Sequence, residues 1–265
     1  MLRVVRRGDR HDPRDLTVSF KLEGEFSAAF LDGRPDVVVP GEALKTLVHA
    51  TAREHGAGEI ETFGLALCAA VLARQPAISR VRVEIAEEPW RRLEAGGKPQ
   101  PQVFVGGTGE RRTATVISNG QQISVVAGID HLFLMRSAGF GSARPGSDDA
   151  NMDGLQRLLV GDLSARWTYT SGDVTFGPYR QGVRAAILET VAWHSSRSVQ
   201  HALYATADVI LTTYEEIAEV TLRFRERPYR PADPFATELA PGVPDDLYVA
   251  LDEPVGTVEI TVERT

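Results

Sequence analysis

A helix-then-strand pattern occurs twice in this chain, and few folds satisfy the same packing grammar twice. Ile60, Phe63, Leu67 and Val71 fall at helical spacing, and Val81, Val83 and Ile85 then alternate with Arg80, Arg82 and Glu84 as a half-buried strand does. The pattern returns 139 positions further on, counted from Ile60 to Val199. Val199, Ala202, Leu203 and Ile210 make the second apolar stripe, and Val220, Leu222 and Phe224 alternate with Thr221 and Arg223 in the same register. The likeness is one of pattern more than identity, and two unrelated amphipathic units share some of it. Duplication is the better reading, and it predicts a pseudosymmetric α+β protein with sites between units.

Around the repeat, Leu2–Arg7 and Leu16–Leu22 read as a hairpin across Gly8-Asp9 and Asp12-Pro13. Helices are predicted over Glu42–Glu54 and Glu59–Ala73, divided by Gly56 and Gly58, and strands over 81–85, 103–105, 113–117 and 123–126. Gly96, Gly97 and two prolines mark a surface turn. Ile129–Met135 opens the second half as a buried strand, and Gly139–Asp153, rich in Gly, Ser, Asp and Pro, reads as a functional loop. Leu163–Tyr169 is a further strand, Tyr179–Trp193 and Ser198–Thr212 are helices with Ser198 as N-cap, and Thr257–Val262 closes the fold. Arg225–Pro244 is irregular. The modules are expected at 1–128 and 129–265.

A net charge of −7 argues against nucleic acid as a partner, although Arg3, Arg6, Arg7, Arg10 and Arg14 crowd the first residues as a solvated strand edge would. Cys68, the one cysteine, sits on the apolar helix as a core residue. With no run of 18 apolar residues and no apolar signal core at the N-terminus, the expectation is no membrane partner and a cytoplasmic location. The terminal Glu-Arg-Thr is no peroxisomal address.

Nearly end to end, the chain resembles the urate oxidase (uricase) family. The likeness rests on Leu22-Glu23-Gly24-Glu25-Phe26, Lys45-Thr46-Leu47-Val48, Ile60-Glu61 with Phe63-Gly64, and Pro89-Trp90-Arg91-Arg92. It continues through Gly128-Ile129 with Leu132, Gly139-Phe140, Arg157-Leu158-Leu159, Ser198-Val199-Gln200 with Leu203-Tyr204, and Asp252-Glu253-Pro254 with Gly256. The resemblance implies an α+β fold of two tandem tunnelling-fold (T-fold) modules, whose antiparallel sheets form a barrel on oligomerisation with helices outside, in a homotetramer. It further implies a site for a purine-like heterocycle between subunits, working with molecular oxygen and without metal or organic cofactor. By that resemblance Phe140 stacks on the ring, Arg157 grips its acidic edge, Gln200 bonds the other edge and Val199 supplies a backbone contact. A guanidinium fork and an aromatic face suit a flat anion on chemical grounds as well. Taken singly, Arg157 also fits an ion pair with Asp153 or Asp162, and Gln200 the polar side of a helix start.

The other half of the family's site is changed. Aligned on Lys45, its Thr-Asp-Thr triplet reads Gly41, Glu42 and Ala43 here, and its N-terminal Lys has no counterpart within the sequence. Its Asn-Lys-His-Tyr run reads Glu226-Arg227-Pro228-Tyr229, and proline cannot shuttle a proton. Gln100 and Gln102 stand where the family usually has His. Removing ring protons so that a dianion can pass an electron to oxygen needs a base. Glu42 is the obvious substitute and Glu226 a second carboxylate; His11, His49 and His201 receive no role. Three readings follow: a cofactor-independent oxidase of urate or a related bicyclic ring with altered substrate or mechanism, a non-catalytic heterocycle-binding or scaffold protein, and a subunit needing a paralogous partner.

Overall fold

The hairpin formed by β1 (Leu2–Arg7) and β2 (Arg10–Gly24) begins the chain. Its turn is Gly8-Asp9 alone, with Gly8 at φ +60, a conformation that a side chain resists. Asp12-Pro13, expected in the turn, instead lies inside β2, with Pro13 opposite Val4. Pairing of β2 with the next strand starts only at Asp15, so the missing proline N–H removes nothing from that ladder. A computed structural model describes residues 1–55, 58–107, 109–137, 158–196, 198–231, 247–252 and 256–264.

A short helix α1 (Ser27–Leu31) and a 3-10 turn at Pro35–Val37, neither read from the sequence, lead into α2 (Gly41–His55) and α3 (Ile60–Arg74). Then come β3 (Ile78–Glu88), a side hairpin of β4 (Trp90–Ala95) and β5 (Lys98–Gly106), β6 (Arg111–Ser118), β7 (Ile123–Arg136) and β8 (Leu159–Tyr169). Helices α4 (Phe176–Trp193) and α5 (Val199–Thr213) precede β9 (Ile217–Glu226), the short pair β10 (Tyr229–Pro231) and β11 (Tyr248–Ala250), and β12 (Thr257–Glu263). One antiparallel sheet of eight strands runs in the order β1-β2-β3-β6-β7-β8-β9-β12. Each half is therefore two strands, two long helices and two strands, laid side by side in chain order. No described helix is long and apolar enough to cross a membrane.

The strands expected at 123–126 and 129–135 are one strand, β7, whose register shifts between Ile129 and Leu132, where His131 takes φ +61. That bulge lies beside the junction expected at 128/129.

The repeat is reproduced residue for residue. Helices α3 and α5 are both 15 residues long, and the openings Ile60 and Val199 are spaced as are the following strand starts, Ile78 and Ile217. Equivalent capping bonds close both helices, Gln75 N–H to Val71 O at 3.1 Å and Tyr214 N–H to Ile210 O at 3.0 Å. Val81, Val83 and Ile85 under one helix and Val220, Leu222 and Phe224 under the other are buried. The alternate residues Lys21, Arg82, Glu84 and Arg223 turn to the opposite face and pair among themselves or with Glu259. Cys68 is buried as expected, and burial pushes its thiol up to about 12.

Arginines tie the elements together. Arg3 of β1 donates to Ala52 O and Arg264, just after β12, to Leu211 O and Tyr214 O at 2.6 and 2.5 Å, so the carboxyl ends of α2 and α5 are each closed by a guanidinium from an edge of the sheet. Arg92 carries the β4–β5 hairpin, donating to His11 O and Asp12 Oδ1 of β2 at 2.6 and 2.7 Å while lying over the Phe104 ring.

Gly64 of α3 faces β6 so closely that a Cβ would meet Val116 Cγ2 at 2.7 Å. Alanine normally gains about 1 kcal/mol over glycine inside a helix. Overpacking against a stiff β-branched side chain costs about 1–3 kcal/mol. Gly64→Ala is therefore expected to lower the urea midpoint, and an unaltered or raised midpoint would show that α3 slides freely on the sheet.

Candidate functional site

At the start of α5 the sequence Ser198-Val199-Gln200 takes the conformation that an N-cap imposes. Ser198 is extended and its Oγ accepts from His201 N–H at 3.1 Å. The amides of Val199 and Gln200 belong to the first turn, whose N–H groups have no acceptor within the helix. Gln200 is exposed and makes no hydrogen bond among the described residues, whereas Val199 packs down into an apolar recess with Leu134, Leu159 and Phe224. At about 20 Å³ that recess takes roughly one water, far below the 300 Å³ or so of a ring-binding pocket.

Glu226 ends β9 at the same end of the second half, since β9 returns antiparallel to α5. Its N–H donates to Gly256 O at 3.1 Å and its side chain is half-buried. The following Arg227 donates its N–H to Val160 O at 2.7 Å and lays its guanidinium over the Phe133 ring. Close by in sequence, His194 and His201 meet edge to face with ring centres 5.2 Å apart, and His194 Nδ1 lies 2.6 Å from Ser196 Oγ. Sequence reasoning gave His201 no role and did not consider His194, because their meeting depends on how α5 returns beside the end of α4. Phe140 and Arg157 lie outside the described residues.

Glu42 is elsewhere. It sits in the first turn of α2, exposed, with Oε1 accepting from Lys45 Nζ at 2.6 Å. Beside it Gly41, Lys45 and His49 border a recess of about 460 Å³ against Met1, Leu16 and Phe20. Helix α2 borders β2 at that recess and α5 packs on β9 and β12, so Glu42 and Gln200 lie over opposite sides of the eight-stranded sheet. One chain brings Val199, Gln200 and Glu226 to one end of its second half and leaves Glu42 apart.

The repeat also assigns Gln200 a counterpart, Glu61, one residue into α3 as Gln200 is one residue into α5. The two are used in opposite ways. Glu61 is 0% exposed and bound by Arg112, which also holds Glu59 and approaches Glu87 at 3.7 Å. Burial pushes the Glu61 carboxyl above the usual glutamate range, with Arg112 opposing the shift. Gly177 in the first turn of α4 closes over this helix start, for a Cβ there would lie 2.7 Å from Glu59 Oε1. The start of α3 is thus sealed and that of α5 open.

A family profile described as Uricase matches residues 1–117 and 125–259. The uricase of Arthrobacter globiformis is 28% identical over 269 residues, covering 100% of this chain and 86% of its own length, and that of Danio rerio is 26% identical, covering 100% and 91%. The crystal structure of the Arthrobacter globiformis uricase superposes with a TM-score of 0.88 at 27% identity, over 100% of this chain and 90% of that one. A Bacillus fastidious uricase shares the fold, with a TM-score of 0.78 at 20% identity over 96% and 82% of the two chains.

The buried Glu61 has a measurable consequence. A carboxyl whose folded pKa is raised binds protons that the unfolded chain releases, so its contribution to stability falls as pH rises above the ordinary glutamate value of about 4.3. Relative to wild type, Glu61→Gln should gain stability as pH climbs from about 4 towards neutrality, read by denaturant titration at each pH. A Gln variant that loses ground over that range would mean that attraction to Arg112 outweighs desolvation.

Proposed function

The chain belongs to the uricase family, and from that premise we propose that it oxidises urate or a closely related purine-like bicyclic heterocycle with molecular oxygen, without a metal or organic cofactor. The observation that carries this reading is the capped, open start of α5, where Val199 and the Gln200 amide, unpartnered among the described residues, stand ready for the edge of a planar ring. Arg157 and Phe140 complete the clamp, the guanidinium binding the anionic edge in a fork and the phenyl ring stacking.

A ring held there needs a base. Glu226 stands at the same end of the second half, while Glu42 serves only if another chain delivers it. The free edges β1 and β12 suit such delivery: β1 carries Arg3, Arg6 and Arg7, and β12 carries Glu259 and Glu263. Pairing these edges between copies closes the sheet into a barrel and removes the unpaired strands. In this reading the assembly is the homotetramer that the family resemblance implies, with modules 1–128 and 129–265 as its repeating units. A non-catalytic ring-binding role is the second reading, favoured by the solvated Glu42–Lys45 pair and by Pro228 where the family has His.

Aerobic incubation with urate, xanthine, 8-oxoguanine and a pterin, following ring absorbance and oxygen uptake, separates these readings. Turnover of any of them is expected, with Glu226→Gln lowering kcat about 100-fold or more if that carboxylate moves the proton. Binding without turnover by the purified homo-oligomer would sink the oxidase reading. Arg157→Ala should weaken binding of the anionic ring by about 1.5–3 kcal/mol, and equal affinity would remove the clamp.

A further inference from the structure

Between the end of β3, the β4–β5 hairpin, the start of β6 and the first turns of α4 lies an open cleft of about 470 Å³, the size of many small-molecule sites. Its three carboxylates are already neutralised. Glu87 is bound by Arg14 and approached by Arg112, Glu88 meets Arg111 at 2.8 Å, and Glu110 takes a two-pronged contact from Arg184 at 2.7 and 2.8 Å. The cations are not all matched. Arg180, on the cleft wall, makes no hydrogen bond or ion pair among the described residues, and its Nε is buried. Arg112 Nε is likewise buried without an acceptor, and Arg91 on the same wall has no partner among the described residues. Those Nε atoms are closed to solvent, but the two Nη groups of Arg180 are open to it and have no partner among the described residues, so they are the donors the wall offers to a ligand.

Beside these cations Trp90 and Pro89 present apolar surface, Trp90 being 40% exposed. We infer that this cleft is a second binding site, for a small planar organic anion whose carboxylate or phosphate takes the Arg180 fork and whose ring rests on Trp90. A guanidinium binds two oxyanion oxygens in parallel, and an indole face accepts a flat ring, so acid and ring are recognised together. The site needs neither Gln200 nor Arg157 and stands or falls separately from the oxidase reading.

Calorimetric titration of the full chain at fixed ionic strength with benzoate, its neutral analogue benzamide, and inorganic phosphate tests it. Benzoate and phosphate should bind saturably and benzamide should not. Arg180→Gln should weaken benzoate by on the order of tenfold or more, Arg180→Lys should recover part of the loss, and Gln200→Ala should leave it unaltered. Absence of saturable heat from both anions, equal binding of benzamide, or unaltered affinity in Arg180→Gln would overturn the site. So would loss of benzoate binding in Gln200→Ala, which would move the anion to the α5 start. A changed oligomeric mass of Arg180→Gln by sedimentation would also overturn it, assigning the guanidinium to a contact between subunits.

Discussion

An antiparallel sheet of eight strands that buries one face under helices must leave the other face polar and two edges unpaired, and most of this molecule answers that constraint. Alternation in β3 and β9 sends Val83 and Leu222 into the core and Arg82, Glu84 and Arg223 to the bare face, where Arg82 pairs with Glu84 along β3 and Arg223 approaches Glu259 of β12. The edges are charged, basic on β1 and acidic on β12. Such edges discourage indiscriminate strand addition and are opposite in charge.

Duplication supplied two equivalent helix starts on this scaffold, and the halves diverged in how they use them. At α3 the polar residue after the opening is Glu61, enclosed by Arg112 and covered by α4. At α5 the equivalent residue is Gln200, neutral, exposed and beside an apolar recess. A neutral amide can stay uncommitted at a surface because it needs no counter-ion, whereas a buried carboxylate demands one. The same geometry therefore yields a structural knot in one half and an open hydrogen-bonding edge in the other, which illustrates how function resides in sites placed on a fold and not in the fold itself.

Arginine is the residue through which these arrangements communicate. Arg3 and Arg264 close helix ends, Arg92 fastens the side hairpin, Arg14 and Arg112 hold the carboxylates at the start of α3 and the end of β3, and Arg184 joins α4 to Glu110 ahead of β6. Most of the N-terminal arginines that stand out in the sequence thus belong to a strand edge, with Arg3 and Arg14 committed to the fold. Arg180 differs by having no such commitment within the described residues.

By itself the sequence determined the α+β class, the antiparallel strands, the four long helices, the Ser198 cap and the repeat, because period 2, period 3.6 and capping chemistry are local properties of a chain. Short or weakly patterned pieces escaped it: α1, the 3-10 turn and β4, whose partners lie across a hairpin, and the continuity of β7 through its bulge. Motif likeness identified Val199, Gln200 and Glu226, which the fold places at one end of the second half, and Glu42, which it places far away across the sheet. Only the tertiary structure decided that Glu61 is sealed while Gln200 is open, that His194 and His201 meet, and that Arg180 is left without an acceptor among the described residues. Each of these depends on which distant elements cover a side chain, and burial and pairing across dozens of residues leave no periodic trace in the sequence.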